Sequence, residues 1–259
     1  MNDIRERFLL LEPLVKNGDD PWADHRLSIR EHAMSGNIEE FLRWSTIQAT
    51  MYVGDAPYIK TEAEALFNDD AERWQTAIRE PYVGNAIPLP WLDWANSNLI
   101  HQAYHLYIWE RETEKKIDEL KTIIELGGGY GALALVARRL GFTGKYMILD
   151  FPEMHILQEY FLGSCDVEFD AITEQPKSGC DLYIALYSLA EIPMKDRHKF
   201  LPYYTKSILA AYGYIYDGID NKKYFQELAK TYPKSKWDYK HGVFIENKHI
   251  KDVGYLIID

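Results

Sequence analysis

Acidic side chains and a glycine cluster stand close together near the middle of the 259-residue chain. In IIELGGGYGALAL, residues 123–135, an apolar run reaches Glu125, four glycines follow within six residues, and a helical pattern begins. Two further acids follow apolar β-like runs, Asp150 after KYMIL and Asp170 in VEFDAI. A glycine turn between a strand and a helix lets the backbone approach a nucleotide closely, so we expect a cofactor site here.

The spacing of the glycines can be compared with two turns that bind phosphate groups, the P-loop and the dinucleotide turn. A P-loop needs a Lys-Ser or Lys-Thr pair after its glycines, and this segment has neither, which excludes that turn. A dinucleotide turn, G-x-G-x-x-[GA], is satisfied by Gly127, Gly129 and Ala132, and Asp150 could accept from a ribose hydroxyl. An NAD(P)-dependent oxidoreductase therefore stays open.

A third turn, E-x-G-x-G-x-G, fits the cationic nucleoside S-adenosylmethionine. Glu125, Gly127, Gly129 and Gly131 match it in full. The cofactor carries a sulfonium and an ammonium but no phosphate, so acids at the ends of successive strands suit it. We expect Glu125 beside the loop, Asp150 at the ribose and Asp170, placed at the end of the third strand, at the adenine amine.

The elements that must position these residues differ between the two parts of the chain. Residues 1–118 show three- and four-residue apolar spacing, which predicts helices, interrupted by the turn-rich loop PYVGNAIPLP. A long helix is predicted from Trp91 to Leu120. From residue 119 strand and helix patterns alternate, which predicts an α/β domain with a parallel sheet. Residues 194–210 are predicted as a helix, 213–219 as a strand, and GVFIEN and VGYLIID as a closing hairpin.

Composition narrows the class of partner. The net charge is −11, which argues against a nucleic acid or an anionic membrane as the main partner. No apolar run reaches the roughly 20 residues of a membrane span, and no signal-peptide pattern opens the chain. The two cysteines are expected to be reduced, and we expect a cytoplasmic protein. The oligomeric state stays open, a homo-oligomer included.

From Tyr82 to the end, the chain resembles class I S-adenosylmethionine-dependent methyltransferases and, more narrowly, the sugar O-methyltransferase family. The segments that carry the resemblance are VGNAIP (83–88), IIELGGGYGALAL (123–135), KYMILDFPEMHILQEYFL (145–162), DLYIALYSLAEIP (181–193) and GYIYDGIDN (213–221). The resemblance implies a Rossmann-like, seven-stranded sheet with its last strand antiparallel. It also implies methyl transfer to a hydroxyl of a nucleotide sugar or a surface-glycan precursor; another small-molecule acceptor stays open.

The same resemblance assigns cofactor contacts. Glu125 and the loop would line the methionine part, the loop residues being Gly127, Gly128, Gly129, Tyr130 and Gly131. Asp150 would bind ribose and Phe151 would stack near adenine. Asp170 and Ala171 would flank the adenine. Tyr187 and Ser188 would lie under the cofactor and face the acceptor.

Glu191, in SLAEIP, is the first candidate for a general base, since it follows the predicted fourth strand. The alternative is a helix capping box formed with Ser188, although Pro193 fits a helix that starts nearer to it.

Two histidines are further candidates for the base. His101 and His105 lie four residues apart and therefore on one helix face, and a purely packed, hydrogen-bonded role is the alternative for both.

Candidate acceptor-binding residues come from the helical region and from the segment after the predicted fifth strand. These are Asn85, Trp91, Tyr104 and Asp217. Trp91 and Trp94 have helical spacing that is also typical of core. No metal is expected, because Asp220-Asn221 is only half of the pattern in metal-dependent O-methyltransferases. We expect residues 1–118 to cover the acceptor pocket and residues 119–259 to bind the cofactor.

Overall fold

The computed structural model describes residues 2–14, 20–230, 235–237 and 253–259. Contacts divide the chain into two compact units. The first unit contains Met1–Tyr104, Gly128–Gly141 and Asp150–Glu168, and the second contains His105–Gly127, Phe142–Leu149 and Phe169–Asp259. The predicted linear division near residue 118 stays a prediction.

The first unit is helical in its described residues. Its helices are α1 (Asn2–Leu9), α2 (Ala23–Ser35), α3 (Ser45–Thr50), α4 (Pro57–Ala77), α6 (Ala132–Arg139) and α7 (Pro152–Gly163), with a 3₁₀ segment at Ile38–Arg43. Pro57 and Pro152 occupy the first positions of α4 and α7, where a missing N–H costs no hydrogen bond. Helix α5 (Ser97–Thr113) runs from the first unit into the second.

The second unit holds the central sheet. Its strands are β1 (Thr122–Leu126), β2 (Lys145–Leu149), β3 (Asp170–Ile172), β4 (Cys180–Leu186), β5 (Thr205–Gly213), β8 (Ser235–Trp237) and β9 (Val253–Ile258). The order is β3-β2-β1-β4-β5-β9-β8. β1 to β5 are parallel, and β9 is antiparallel to β5. The predicted α/β class and the antiparallel last strand are confirmed.

The strand order fixes where a ligand can enter. β1 pairs with β2 on one side and with β4 on the other, so the chain reverses its direction of winding at β1. Ligands of open α/β sheets bind at the carboxyl ends of the strands at such a point. The glycine loop follows β1 there, as expected.

Each face of the sheet has its own packing within the second unit. Ile124, Ile208, Leu256 and their neighbours form a buried cluster with the short helix α8 (Ser188–Glu191) and with α9 (Asn221–Ala229). On the opposite face the second half of α5 packs on β5, where Trp109 Nε1 donates to Ser207 Oγ at 2.9 Å.

The predicted helix over residues 194–210 is wrong. The structure has a 3₁₀ turn at Arg197–Lys199 and then β5, which is buried over Ser207–Tyr212. Pro202 ends any helix, and the apolar run after it is typical of a strand covered on both faces.

Three other predicted elements also differ from the structure. Residues 213–219 do not form one strand but lie in the hairpin of β6 (Ile215–Tyr216) and β7 (Ile219–Asp220). GVFIEN, residues 242–247, lies outside the described residues, and the strand beside β9 is the three-residue β8. The sheet has seven described strands, but two of them, β5 and β8, are not the segments that the sequence analysis assigned. Residues 91–96 form turns, so the long helix starts at Ser97.

Candidate cofactor and acceptor site

The glycine loop after β1 has a backbone that glycine favours. Gly127, Gly129 and Gly131 have φ angles of 69°, 55° and 100°, in the left-handed region where a side chain is strained. The Gly131 N–H donates to the Gly128 carbonyl at 2.9 Å, which closes the turn, and α6 begins at Ala132. The loop is therefore a tight strand-to-helix turn.

The close approach of Ser188 also requires a glycine at position 127. A Cβ added to Gly127 would lie 2.6 Å from the Ser188 Cβ. The Ser188 hydroxyl donates to the Leu126 carbonyl at 2.5 Å, so this serine fastens the end of β1 to the segment after β4. Ser188 is thus placed beside Gly127, the first glycine of the loop.

Asp150 follows β2 and turns its half-buried carboxylate towards the glycine loop. Oδ1 accepts from the Phe151 N–H at 2.8 Å and Oδ2 accepts from Gln158 Nε2 at 2.9 Å. Burial raises the pKa of Asp150 to about 7, although Phe151, Gln158 and the N–H groups of Gly129 and Gly128 oppose that rise. The acid predicted at the ribose position is therefore held against the loop.

Gln158, which the sequence analysis did not single out, joins these two parts of the first unit. It is buried on α7, and its Nε2 also donates to the Gly129 carbonyl at 2.8 Å. Its Oε1 has no partner among the described residues. The signal was a polar residue on the apolar side of α7, four residues after Met154.

Phe151 packs against Arg26 of α2 and lies near Trp22, which precedes that helix. The Arg26 guanidinium carbon stands 4.4 Å from the centre of the Phe151 ring, and the Trp22 ring centre is 6.5 Å away. Arg26 and Arg30 both donate to Glu153, whose side chain is fully buried. The Phe151 ring, which is expected near the adenine, therefore has the Arg26 cation and the Trp22 indole as neighbours.

Glu125 is bonded to a tyrosine of the neighbouring strand β2. Its carboxylate accepts from Tyr146 Oη at 2.8 Å, and both side chains are buried. The parallel register pairs Ile123 with Tyr146, so the tyrosine lies towards the amino end of the sheet. The contact links β1 to β2, and the predicted contact of Glu125 with the methionine part of the cofactor stays a prediction.

Asp170 does not lie where the sequence analysis placed it. It begins β3 instead of ending it, because the strand spans Asp170–Ile172 and not the longer predicted run. Its exposed carboxylate pairs with Lys145 Nζ at 2.9 Å, and Lys145 begins β2. Asp170 therefore lies at the amino end of its strand, and Ala171 next to it is exposed. The predicted placement of Asp170 at the end of its strand is wrong, and its contact with adenine stays a prediction.

Tyr130 is a core residue of the first unit. Its ring is buried and packs edge-on against Phe161 and Phe41. Asn98 Nδ2, on the first turn of α5, donates to Tyr130 Oη at 2.8 Å. The buried Oδ1 of Asn98 has no partner among the described residues. An unsatisfied acceptor beside the glycine loop is a position that a ligand N–H or O–H would satisfy.

His101 forms a buried pair with an acid that the sequence analysis missed. Its Nδ1 lies 3.0 Å and 3.1 Å from the two carboxylate oxygens of Glu62 on α4. Burial raises the pKa of Glu62, and His101 opposes that rise. Glu62 has the same spacing as the buried Ile59 and Leu66, and a charge on an apolar helix face was the available signal.

His105 lies in the second unit, next to two tyrosines. It is fully buried, and its Nδ1 is 2.7 Å from Tyr255 Oη. The ring of Tyr187 stands 6.0 Å away, edge-on. Tyr187 ends the run of β4 with φ 65°, a conformation that strains a non-glycine residue by about 1–3 kcal/mol and is often found at functional sites.

Glu191 ends α8, and the segment around it does not fold as predicted. α8 spans Ser188–Glu191, and Ser188 bonds to Leu126 instead of forming a cap, so there is no capping box. Pro193 follows this helix and starts none. Glu191 is half-buried, and next to the larger effect of burial its charge helps to raise the pKa of Tyr216.

The acceptor candidates lie in different surroundings. Asn85 is exposed in a cleft of about 760 Å³ in the first unit, and its carbonyl accepts from Arg43 Nε at 2.8 Å. Trp91 is partly exposed on a turn, not on a helix as its spacing suggested, and Tyr104 is buried. Asp217 occupies the exposed turn of the β6–β7 hairpin with φ 46°.

The first unit therefore brings together Gly128 to Gly131, Asp150 and Phe151. The second unit brings together Gly127 and Ser188, and separately Tyr187 and His105. Within the described ranges, no three His, Cys, Asp or Glu side chains are grouped to hold a metal ion. None of the described helices combines the length and the apolar character needed to cross a bilayer.

Comparison with known proteins gives similarity in architecture only. No protein-family model and no curated protein matches the chain. Solved structures similar to it include the ribosomal protein L11 methylase of Lactobacillus delbrueckii subsp. bulgaricus (21% identity, 61% of this chain and 78% of that one, TM-score 0.44). They also include S-adenosylmethionine-dependent methyltransferases of Aquifex aeolicus (12%, 60% and 92%, 0.41) and Clostridium acetobutylicum (13%, 60% and 89%, 0.43). At such identities and TM-scores, neither activity nor substrate transfers from these proteins to this chain.

Proposed function

We propose that this protein is an S-adenosylmethionine-dependent methyltransferase. The observation that carries the proposal is the glycine turn after β1, at the switch point of the sheet, with the Asp150 carboxylate held against it. The turn has three left-handed glycines and no lysine for a phosphate. Its polar neighbours include two acceptors, the Asp150 carboxylate and Asn98 Oδ1, which suits a cationic nucleoside with hydroxyls and an ammonium.

The chain's own residues fit such a cofactor. Asp150 would accept from the ribose hydroxyls, Phe151 would lie near the adenine, and the glycines would let the backbone approach the methionine part. When bound, S-adenosylmethionine supplies an electrophilic methyl group. The protein must then orient an acceptor oxygen in line with that group, and orientation provides much of the rate of such a displacement.

We further propose that the acceptor is a hydroxyl of a sugar, carried by a nucleotide or a glycan precursor, and that residues 1–118 contribute its pocket. The first unit supports this with a cleft of about 760 Å³, whose lining includes Asn85, Arg43, Asp93 and two tyrosines, Tyr82 and Tyr160. Tyr82 is 78% exposed, with φ 58°. Exposed rings beside hydrogen-bonding groups are the surface on which a sugar stacks its C–H face.

Transfer of a labelled methyl group tests this function. The protein is incubated with methyl-labelled S-adenosylmethionine and a panel of nucleotide sugars, and both labelled product and S-adenosylhomocysteine are quantified. We expect equal amounts of the two with at least one sugar. Label on no sugar would reject the sugar acceptor. The competing NAD(P)-dependent oxidoreductase would instead reduce or oxidise a substrate with a change in nicotinamide absorbance.

A further inference from the structure

The cleft of the first unit has more acids than bases in its lining. Its one lining cation is Arg43, whose Nε donates to the Asn85 carbonyl at 2.8 Å. The lining acids are Glu39, Glu40, Glu80 and Asp93. A cleft of about 760 Å³ has the size of a small-molecule site. The charge of its lining then decides which molecules it accepts, and this lining favours a cation.

Three of the four acids keep their carboxylates available to a ligand. Glu39, Glu40 and Asp93 are exposed, and within the described ranges their carboxylates accept no hydrogen bond and form no salt bridge. The fourth acid, Glu80, is used by the protein itself. It accepts from the Tyr82 N–H at 3.0 Å, and burial raises the pKa of this carboxyl. The charge that an entering ligand meets therefore comes from the three exposed carboxylates.

Two tyrosines also line this cleft. Tyr82 is 78% exposed, and its backbone is held by the bond to Glu80. The charge of Glu39 acts on Tyr160 and, next to the larger effect of burial, helps to raise its pKa. The face of an aromatic ring attracts a cation. The rings and the carboxylates together favour a ligand that combines a positive charge with an apolar face.

The cleft is joined to the glycine loop through the buried ring of Phe41. Gly84 lines the cleft and packs so closely on Phe41 that a Cβ there would overlap the ring. The same ring packs edge-on against Tyr160, with ring centres 6.0 Å apart, and against Tyr130 of the loop, at 5.7 Å. One buried ring thus lies between the lining of the cleft and Tyr130.

We propose that this cleft binds a protonated amino group of the acceptor sugar, an inference that rests on the proposed function. The ammonium lies among the carboxylates of Glu39, Glu40 and Asp93, and the C–H face of the sugar stacks on Tyr82. The same carboxylates repel phosphate groups, so the cleft suits the sugar end of an acceptor and not a nucleotide. The acceptor is therefore an amino sugar whose nitrogen is not acylated.

Titration of three monosaccharides into nitrogen-labelled protein tests the preference for charge. D-Glucosamine, N-acetyl-D-glucosamine and D-glucose differ only in the group at C2, and the amide signals of Tyr82 and Asn85 report on the cleft. At mildly acidic pH and low salt, we expect glucosamine to shift both signals with a Kd about fivefold below those of the two neutral sugars. Equal Kd values, or no shift of these signals by glucosamine, would overturn the proposal.

Variants of single acids are compared with an acid outside the cleft. Asp93→Asn and Glu40→Gln should each raise the Kd for glucosamine about twofold and leave the Kd for glucose unchanged. Glu64→Gln is the matched control, since Glu64 is an exposed acid of α4 that does not line the cleft, and it should change neither Kd. Wild-type affinity for glucosamine in both cleft variants would contradict the role of the carboxylates.

Ethanolamine separates a sugar from a simple amine. It carries an ammonium and a hydroxyl but no ring, so it should bind more weakly than glucosamine. A Kd equal to that of glucosamine would overturn the sugar as the ligand of the cleft.

The failures of the two proposals are distinguishable. Equal binding of the three monosaccharides would overturn the amino group while methyl transfer stands. Absence of labelled product with every sugar contradicts the proposed function, and the titrations, which need no cofactor, still decide what the cleft binds.

Discussion

At the scale of single residues, one glycine is fixed by a clash as well as by its backbone. Gly127 has φ 69°, and its missing Cβ would meet Ser188 at 2.6 Å. Gly127→Ala should destabilise the protein by about 1–3 kcal/mol through backbone strain alone. Urea unfolding measures the change.

A matched pair of variants separates strain from contact. Ser188→Gly in the Gly127→Ala background removes the clash and should recover part of the loss. Gly163→Ala, at the end of α7 with open space around it, should be neutral or slightly stabilising. A Gly127→Ala protein as stable as wild type would contradict the tight turn.

Asp150 should make the unliganded protein less stable as the pH rises. Its pKa is about 7 in the folded protein, because of burial, against an ordinary 3.8. Between these values the folded state holds more protons than the unfolded state, so stability falls with pH through this window. In Asp150→Asn the fall between pH 4 and pH 8 should be smaller than in wild type. Unfolding at the two pH values measures it, and identical slopes would contradict the raised pKa.

Asp181 provides a control of opposite sign. Burial would raise its pKa, but the salt bridge to Lys206 and the N–H groups of Lys121 and Thr122 lower it below the usual value. Its contribution is present above the unfolded pKa and is lost as the pH falls through the folded value. Asp181→Asn should therefore lose more stability at pH 8 than at acid pH.

The position of an acid relative to the glycine loop could be predicted where the end of its strand was predicted correctly. Asp150 directly follows a five-residue apolar run, and its place at the loop was foreseeable. Asp170 was misplaced because the predicted strand began three residues too early, so that its last acid seemed to be at the carboxyl end. Glu62 was missed because the role of a carboxylate on an apolar helix face can be inferred only when its partner on another helix is known.

At the scale of elements, α2 is fastened to α7 by Glu153. The carboxylate is fully buried and accepts from Arg26 and Arg30, and together these donors lower the pKa of Glu153 in spite of its burial. Breaking a buried pair by removal of one partner costs about 3–5 kcal/mol. Glu153→Gln should therefore lower stability by about 3 kcal/mol and increase hydrogen exchange in α2.

Glu159 on the same helix is the control for that prediction. Its pair with Arg7 is partly exposed to solvent, and exposed pairs contribute about 0–1 kcal/mol. Glu159→Gln should change stability little. Equal losses in the two variants would show that burial does not distinguish these pairs.

The sequence analysis predicted a helix where the structure has β5, and this is its largest error in a single element. Its buried run Ser207–Tyr212 lacks the alternation of a half-exposed strand, and the polar residues before it resemble a helix. Apolar runs of this length do not separate a buried strand from a buried helix by period alone. Pro202 was the evidence that should have decided the question.

At the scale of the whole molecule, the mainly parallel α/β sheet followed from the alternation of patterns, whereas the compact units did not. The order of the strands in the sheet, with its switch point at β1, was known only from the structure. The units interleave along the sequence, with segments of 128–141 and 150–168 grouped with residues 1–104. This grouping depends on packing between segments that are distant in the sequence. The apolar pattern along the chain carries no information about such contacts.

Calorimetric titration of the protein with S-adenosylmethionine, and separately with NAD⁺, tests the central claim most directly. The geometry of Asp150 and the glycine loop predicts one site for S-adenosylmethionine, no heat of binding with NAD⁺, and binding at least tenfold weaker in Asp150→Ala. Binding of NAD⁺ with no binding of S-adenosylmethionine would contradict the account.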